Sequence, residues 1–506
     1  MICNKLENKF LNIQQFEFNP TTLTIIDQIT ENIYNMNRNI SILIFTDSND
    51  VDGIAGGVID YLILKQIGFN NIKIFGSNDR ATIPNENYDL IITNDVGINI
   101  DWSKNTTSTI IITDHHIQTL KHNQPNVFEI VMYDVCGAYI SYFVMSKLMD
   151  LFDFDTFDVD VEIENQQLKE IIFEYAVLAT IADCMPINSI NHDNIGLLYH
   201  KIQHDEIKSE MLKMMLKDCY GFDDDTISFG VIPKLNAPMK INNSSVLTGE
   251  YFDPVNGVEN WQIIMKFMIN PTTEIYGIIN EINENRKSIV NDCYQSIIKD
   301  FSKIKFEQTK QTGQTKFFNG LECKIRYTPY LIEVGISVNS HITGLIASKL
   351  TEYYHVPVIV NGKYHSSIRG NDSLEILKLN HNNLKAYGGH LQAAGFKLKD
   401  NSTFDLNVYQ PQVKKIETNY IDWEDDFNYN QIKCWIFKNM PFVKKPLFRK
   451  HIIIQRIDIL KNTHSKIFAT DGNIYMYFFN ILNLKKGSGV DIIFKIGTSN
   501  IIVEFC

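Results

Sequence analysis

The chain contains the stretch Ile42-Leu43-Ile44-Phe45-Thr46-Asp47-Ser48-Asn49-Asp50-Val51-Asp52-Gly53, in which a short apolar run passes directly into acidic residues. Residues 53–67 then show the pattern of a helix. Further apolar runs occupy residues 90–93, 110–113 and 130–133, and a helical stretch follows at 138–149. Short buried runs that alternate with helices are typical of a parallel sheet covered by helices. We therefore predict an α/β domain with a parallel sheet over residues 39–250.

The pattern changes on both sides of this sheet. Residues 1–38 show no strong period and are predicted to form an N-terminal cap, and residues 185–250 are mixed and loop-rich. Apolar residues over 171–182 predict a helix with Asp183 at its C-terminal end. Beyond Asn270–Pro271, apolar spacing from Ile275 to Ile304 predicts one long helix within a connecting region over 255–305. A second α/β domain is predicted over 310–402, and a small β-barrel or sandwich over 405–506.

Length and composition bound the class of protein. With 506 residues, the chain exceeds what one hydrophobic core usually organises, so two to four domains are expected. It is 44% hydrophobic and 21% charged, which is an ordinary globular composition. No apolar run approaches the roughly 18–20 residues of a bilayer span, and the first residues lack a signal peptide's apolar stretch. The eight cysteines form no CxxC pair, so we predict a cytoplasmic protein without a zinc ribbon or disulfide scaffold.

The formal net charge of −12 argues against a nucleic-acid partner, because Lys and Arg normally provide the contacts to phosphate. Carboxylates that hold cations do not repel a polyanion, however, and basic residues can be clustered locally. Net charge alone therefore leaves a nucleic-acid partner open.

Four separate segments place carboxylates or imidazoles where predicted strands or helices end. They are residues 46–53, Asn94-Asp95-Val96-Gly97, Asp114-His115-His116 and Ala182-Asp183. Each has an ordinary explanation by itself, as a turn, a loop residue or a helix end. The carboxyl ends of parallel strands meet at one edge of a sheet, and carboxylates gathered there repel one another unless cations neutralise them. Together the segments predict a site for Mn²⁺ or Mg²⁺, which suit carboxylate and imidazole ligands.

In this order, the four segments resemble the motifs of the DHH phosphoesterase superfamily, and in particular its RecJ-type single-strand-specific exonucleases. Residues 233–240 resemble a RecJ segment that normally ends in Arg, where this chain has Lys. Residues 340–350, 367–369, 388–390 and 394–396 resemble the DHH-associated second domain. Residues 441–442 and 446–448 resemble a shortened start of an OB-fold. The resemblance implies a parallel-sheet DHH domain, a long connecting helix, a second α/β DHH-associated domain and a C-terminal OB-like β-domain.

The resemblance also assigns roles to single residues. It implies two divalent cations, one held by Asp50 and the other by Asp52, His115 and Asp183, with the catalytic Asp95 bridging both. His116 would contact the scissile phosphate, and Asp114 would orient a histidine. Substrate binding would involve His116, Asn236, Lys240, Ser367, Arg369, Gly388, Gly389 and His390. The family's first motif often has a His or a further Asp at the spacing where this chain has Ser48, so a ligand role for Asp47 stays open.

The C-terminal domain offers a cluster of basic and aromatic residues. Lys444, Lys445, Arg449 and Lys450 lie near Phe442 and Phe448 in the sequence. Aromatic rings in a basic groove are typical of single-strand binding, so we predict a strand-binding surface here. The alternative is a solvated charge run on a β-domain.

The resemblance implies a metal-dependent 5′-to-3′ exonuclease that degrades single-stranded DNA to mononucleotides in DNA repair and recombination, with its active site between the two α/β domains. Single-strand-binding protein or other replication and repair proteins are candidate partners, and we expect a monomer with no membrane partner. One alternative is a small-substrate phosphodiesterase of the nanoRNase or cyclic-dinucleotide hydrolase type, and another is a catalytically silent DNA-binding replication scaffold. Residues 405–506 favour a long strand over a small substrate, and the complete ligand set disfavours a scaffold. The sequence leaves DNA and RNA equally open.

Overall fold

The computed structural model of the chain describes residues 14–77, 82–105, 107–153, 159–219, 226–241, 250–254, 257, 260–301, 314–318, 321–336, 340–362, 366–389, 392–400, 402–409, 420–424, 427, 429, 432, 435–436, 446–460, 464–477, 484–496 and 500–505. The chain divides into two compact units. The first comprises Met1–Leu235, Leu247–Tyr276 and Glu417–Cys506, and the second comprises Asn236–Val246 and Gly277–Ile416. No helix in the described part of the chain combines the length and hydropathy that a bilayer span needs.

The first unit contains the predicted parallel sheet. Its strands are β1 (Ile42–Asp47), β2 (Ile72–Ser77), β3 (Leu90–Asn94), β4 (Thr109–Asp114), β5 (Val127–Val131) and β6 (Glu250–Tyr251). Their order is β5-β4-β3-β1-β2-β6, and only the short edge strand β6 is antiparallel to its neighbour. Every residue of β1 and β3 is buried, as expected for strands covered on both faces. The structure confirms the α/β class.

Eight helices surround or follow this sheet in the described residues. They are α1 (Pro20–Asn35), α2 (Val51–Gln66), α3 (Gly137–Asp153), α4 (Val159–Ala182), α5 (Ser189–Gln203), α6 (Glu210–Leu216), α7 (Ile232–Ile241) and α8 (Asn260–Ile269). Helices α2, α3 and α4 pack against one another. Helix α2 is buried almost all around, which explains why apolar residues cover its whole circumference.

Two stretches of this unit hold more helix than their sequence pattern predicts. Residues 1–38 include the regular helix α1, which buries Ile26, Ile29 and Ile33 at helical spacing and packs against α3. The side chain of Asn19 caps it by accepting the N–H of Thr21, and Pro20 suits its first turn. Residues 185–250, predicted to be loop-rich, contain α5, α6, a π-helical turn at Thr226–Val231 and α7. Tertiary burial stabilises these short helices although their sequence period is weak.

The second unit is built on a mixed seven-stranded sheet. Its elements are α9 (Thr273–Phe301), β7 (Gln314–Phe318), β8 (Leu321–Thr328), β9 (Leu331–Ile336), α10 (Thr343–Tyr354), β10 (Val358–Asn361), β11 (Ser366–Arg369), α11 (Ser373–Leu379), β12 (Leu384–Gly389) and β13 (Ala393–Leu398). The strand order is β12-β13-β11-β10-β9-β8-β7, and only β9 and β10 are parallel.

The predicted long helix is α9. It begins after Asn270–Pro271, where proline removes a backbone donor and ends α8. Its first residues belong to the first unit, and from Gly277 it belongs to the second. There Val290 and Ile297 join the core that β8, β9, β10 and α10 form.

The C-terminal strands close into a barrel and do not form a sandwich. They are β14 (Tyr420–Asp422), β15 (Leu447–Leu460), β16 (His464–Ala469), β17 (Ile474–Tyr477), β18 (Gly489–Lys495) and β19 (Asn500–Phe505). Strand β15 pairs with both β16 and β18, which closes the ring β15-β16-β17-β19-β18. A closed five-stranded barrel is the architecture of OB-folds and so supports the OB-like prediction. The pairing of β15 with β16 shifts register between Ile454 and Arg456, the mark of a β-bulge.

Candidate metal centre and active site

Three parallel strands deliver acidic and imidazole side chains to one edge of the first sheet. Asp47 is the last residue of β1, Asp95 follows the end of β3, and His115 follows the end of β4. Because β3 lies between β1 and β4, these three strand ends are neighbours. Two further carboxylates, Asp50 and Asp52, cap and begin α2 directly after β1.

His115 lies at the centre of one group of potential ligands. Its Nε2 atom is 3.1 Å from Asp95 Oδ1, 3.4 Å from Asp183 Oδ2 and 3.7 Å from Asp52 Oδ2. Asp183 reaches this point because it directly follows the C-terminal end of α4. Ligand atoms of Asp52, His115 and Asp183 all lie within 4.8 Å of one another, close enough to share one cation.

Asp47, Asp50 and Asp95 form a second group, again with ligand atoms within 4.8 Å of one another. The side chain of Asp47 is buried, and its Oδ1 accepts the backbone N–H of Asn49 at 2.9 Å and the Asn49 amide at 2.7 Å. The structure therefore brings Asp47, whose role the sequence left open, to the site. Its position at the end of a fully buried strand, three residues before Asp50, was the available signal. We call the six side chains of the two groups the metal centre.

His116 borders the metal centre and is hydrogen-bonded to Asp114. Its Nδ1 lies 2.8 Å from Asp114 Oδ1, which also accepts the backbone N–H of His116 at 3.0 Å. Burial acts to raise the pKa of Asp114, but the hydrogen bonds and charge of His116 outweigh it and leave this pKa below its ordinary value. The Nδ1 atom of His116 also lies 3.3 Å from Asp95 Oδ1.

The backbone around the ligands suits only particular residues. Asp95 has a φ of +55°, a conformation that Asp and Asn adopt more readily than other side chains. Both carboxylate oxygens of Asp52 accept backbone N–H groups at the start of α3, from Gly137 and Ala138 at 2.8 Å each. Burial raises the pKa of Asp52, because the opposing effects of His115 and of these amides are smaller.

The donor set fits hard divalent cations. The metal centre holds five carboxylates and the imidazole of His115. Ionised carboxylates this close repel one another unless positive charge offsets them. Oxygen donors with one or two imidazoles suit Mn²⁺ and Mg²⁺. Among the described residues, the groups that could hold a metal include no cysteine.

A chain of polar groups lies buried beneath the metal centre. The Nδ2 atom of Asn94 donates to Asp60 Oδ2 at 2.7 Å and to Ser141 Oγ at 2.9 Å. Ser141 Oγ is 3.1 Å from the hydroxyl of Thr113, which donates to the carbonyl of Thr93 at 2.6 Å. Burial raises the pKa of Asp60 to about 7, although the hydrogen bond from Asn94 opposes the rise. The chain thus links α2 and α3 to the two residues that precede Asp95 and Asp114.

Comparison with known proteins identifies the domain that holds the metal centre. Residues 41–182 match the model described as the DHH family, N-terminal domain. This stretch of the chain is therefore similar to the N-terminal domain of the DHH family. The matched region runs from β1 to α4 and contains every residue of the metal centre except Asp183, which follows it directly.

Three curated relatives of the chain carry the name single-stranded-DNA-specific exonuclease RecJ. The Bacillus subtilis protein is 22% identical over 376 residues, covering 69% of this chain and 41% of the relative. The Haemophilus influenzae protein is 21% identical over 453 residues, covering 81% and 71%. The Salmonella typhimurium protein is 23% identical over 439 residues, covering 79% and 70%. The chain therefore spans less than half of the length of the first relative and about 70% of the length of the other two.

Solved structures share the fold. RecJ from Thermus thermophilus in complex with Mn²⁺ superposes with a TM-score of 0.70 at 14% identity, covering 99% of this chain and 74% of that chain. The same protein in complex with Mg²⁺ gives a TM-score of 0.64 at 15% identity, covering 97% and 71%. The metals in these two structures, Mn²⁺ and Mg²⁺, are the ones that the metal centre of this chain fits.

The second unit of the chain contains two of the residues predicted to bind phosphate. Ser367 and Arg369 lie on β11, and the hydroxyl of Ser367 is 2.8 Å from that of Thr343 at the start of α10. The guanidinium of Arg369 lies against Gly344, where any side chain would collide with it. Burial lowers the pKa of Arg369. Its half-buried guanidinium donates from Nη1 to the carbonyls of Ile368 at 2.9 Å and Ala394 at 3.4 Å, and among the described residues it makes no ion pair. A guanidinium with remaining N–H groups can bind an anion.

The other predicted substrate residues are less closely grouped. Gly388 and Gly389 end the exposed edge strand β12, and Gly389 has a φ of +132° that favours glycine. Asn236 and Lys240 lie in α7. Within the described residues, the buried Oδ1 of Asn236 has no hydrogen-bond partner. His390 lies outside the described residues.

The predicted strand-binding cluster of the barrel is wrong where the structure describes it. Phe448 is fully buried in the barrel core. Arg449 pairs with Asp422 and Lys450 with Asp471, each at 2.6 Å. Phe442, Lys444 and Lys445 lie outside the described residues.

A different basic and aromatic surface lies on the outward side of β15 and β16. Arg456 pairs with Phe468 across the two strands, and its guanidinium carbon lies 3.9 Å from the centre of the Phe468 ring. Lys466 Nζ lies 5.3 Å from the same ring centre. We call these three residues the barrel face. A groove of about 590 Å³ is lined by Arg456, Phe468 and Lys486, among others.

Proposed function

We propose that this protein is a metal-dependent exonuclease that degrades single-stranded DNA from the 5′ end to mononucleotides in the cytoplasm. The observation that carries the proposal is that the two ligand groups adjoin, since Asp95 Oδ1 of one group lies 3.1 Å from His115 Nε2 of the other. The shared fold with RecJ and the names of the curated relatives support it.

In this proposal, Asp47 and Asp50 would hold one divalent cation, Asp52, His115 and Asp183 would hold a second, and Asp95 would be a ligand of both. When bound, the cations would supply a water of lowered pKa and positive charge for the phosphoryl oxygens. The chain itself keeps the ligands in register, because rigid strand ends and the first turn of α2 carry them.

His116 would contact the scissile phosphate. Its Nδ1 proton is held by Asp114, which fixes the ring and leaves Nε2 for a phosphoryl oxygen. In the second unit, Arg369 and Ser367 would bind a phosphate of the strand through forked and hydroxyl hydrogen bonds. Asn236, Lys240, Gly388, Gly389 and His390 are proposed as further substrate contacts.

An end-label assay tests the proposal. Purified full-length protein with Mn²⁺ is incubated with single strands labelled at the 5′ or the 3′ end. We expect the 5′ label to appear at once as mononucleotide, while the 3′-labelled strand shortens progressively. An unchanged strand, or mononucleotide released first from the 3′ label, would contradict the proposal. The same assay on RNA determines whether the sugar matters.

The barrel face provides a prediction that separates long strands from small substrates. Phe468→Ala should raise KM for a 30-nucleotide strand about tenfold, because base stacking on an aromatic ring contributes roughly 1–3 kcal/mol. Turnover of a dinucleotide should stay unchanged, since in this proposal the barrel face contacts only the part of a long strand beyond its first nucleotides. Steady-state kinetics on both substrates measure the effect.

The control for this prediction is Ile474→Ala, which removes an exposed apolar side chain beside Phe468 without removing a ring. If Phe468→Ala left the long strand unaffected, or if dinucleotides were the better substrate, the small-substrate phosphodiesterase would be the better assignment.

A further inference from the structure

An exposed tyrosine lies at the rim of the metal centre. Strand β5 runs parallel to β4 with Val131 opposite Asp114, and the N–H of Met132 donates to the carbonyl of Asp114 at 3.3 Å. This bond closes the ladder, and Tyr133 and His116 each follow the last paired residue of their strand by two positions. Neighbouring strands lie about 4.8 Å apart, so both residues leave the sheet at the same edge, where the metal centre lies.

The backbone that carries Tyr133 is held rigidly. The carbonyl of the next residue, Asp134, accepts the side-chain amides of Asn188 and Asn191 at 2.8 Å each. Both asparagines are buried. On the other side of His116, the carbonyl of Ile117 accepts the side-chain amide of Asn99 at 3.0 Å.

The side chains on this fixed backbone face solvent. Tyr133 is 56% exposed and Ile117 is 78% exposed. Among the described residues, the ring of Tyr133 makes no aromatic or cation–π contact and its hydroxyl makes no hydrogen bond. A large exposed apolar side chain on a rigid turn costs little conformational entropy when a ligand covers it.

We propose that Tyr133 is the stacking platform for the base of a nucleotide whose phosphate lies at the metal centre, with Ile117 covering the neighbouring sugar or base edge. The inference deepens the proposed function and rests on it. Every base has a π-face, so a tyrosine selects nucleotides over other phosphodiesters without reading the sequence. The two buried asparagines hold the platform in place before the strand arrives.

The test measures stacking by binding, without turnover. Asp95→Asn is the parent protein, and single strands carry 2-aminopurine at one of the first three positions from the 5′ end. Stacking on Tyr133 should quench the fluorescence at one position. In Asp95→Asn/Tyr133→Ala we expect this quench to disappear and Kd to rise about tenfold. The double variant Asp95→Asn/Tyr133→Phe keeps an aromatic ring and should show the quench and the Kd of the parent protein.

Tyr330→Ala in the same parent is the matched control, because Tyr330 is a 44% exposed tyrosine on a β-turn far along the sequence. The melting temperature of each variant checks that folding is unchanged. Equal quench and Kd with and without the Tyr133 ring, or no quench at any of the three positions, would overturn the inference. A wild-type protein that fails to shorten labelled strands would overturn the proposed function separately.

Discussion

Replacing Asp95 by Asn should abolish hydrolysis of single-stranded DNA while leaving the fold and the binding of the strand intact. Asp95 belongs to the ligand group of Asp47 and Asp50, and its Oδ1 lies 3.1 Å from the Nε2 of His115 in the other group. Removing its charge weakens both cation sites at once. Because a metal ion contributes several kcal/mol to stabilising the transition state, we expect a loss of about 10³-fold or more in kcat.

Asn is the informative replacement because of the backbone. At a φ of +55°, Asn is tolerated nearly as well as Asp, whereas Ala would add strain and mix a folding effect into the result. Asp193→Asn provides the control, since that side chain is 79% exposed and lies outside the metal centre. Calorimetric titration with Mn²⁺ should show weaker binding for Asp95→Asn and unchanged binding for the control. Full hydrolysis or unchanged Mn²⁺ affinity in Asp95→Asn would refute the ligand assignment.

Replacing Asp60 by Asn should reduce the loss of stability that the protein suffers between pH 5 and pH 8. Burial raises the pKa of Asp60 from 3.8 to about 7. Between these values the folded chain holds a proton that the unfolded chain releases, so the free energy of unfolding falls as pH rises through this range. The neutral amide of Asn avoids this loss. The stability of Asp60→Asn relative to wild type should therefore increase by about 2–3 kcal/mol from pH 5 to pH 8.

Urea unfolding of the full chain in EDTA at pH 5 and pH 8 measures this difference, with chelation keeping the metal centre out of the comparison. Asp193→Asn should follow wild type at both pH values, because its side chain is solvated. A stability difference that is the same at both pH values would mean that the Asp60 carboxyl titrates normally, and that its pKa is not raised by burial.

The metal centre could be assembled from the sequence because of a simple geometric rule. Parallel neighbouring strands end at the same edge, so acidic residues after residues 42–45, 90–93 and 110–113 had to meet. Asp183 was placed equally well, because the helical spacing before it is clear. What the pattern did not give was the contribution of Asp47, since the last residue of a buried strand can point to either face.

Burial and pairing inside the barrel were much harder to predict. Phe448 and Lys450 belong to one strand and were expected to share a surface, yet Phe448 lies in the core and Lys450 is paired with Asp471. The barrel face depends on pairing between β15 and β16, which a linear sequence does not display. The hydrogen bond between Asp60 and Asn94 joins residues far apart in the chain, and each interrupts an apolar run with no local sign of the other.

The bulge in β15 makes the length of this strand a constraint on the protein. Before it, Ile452 and Ile454 face inward, and after it Ile457 does so, which turns Arg456 outward to meet Phe468. Gln455 is the extra residue, since Ile454 pairs with Ala469 and Arg456 with Phe468, so deleting it would remove the bulge and keep Arg456 outward. Adding a paired residue before the bulge, or removing one, would instead reverse the inside and outside of the positions beyond the change. Single insertions and deletions should therefore persist over evolution at Gln455 more readily than at the paired positions of this strand.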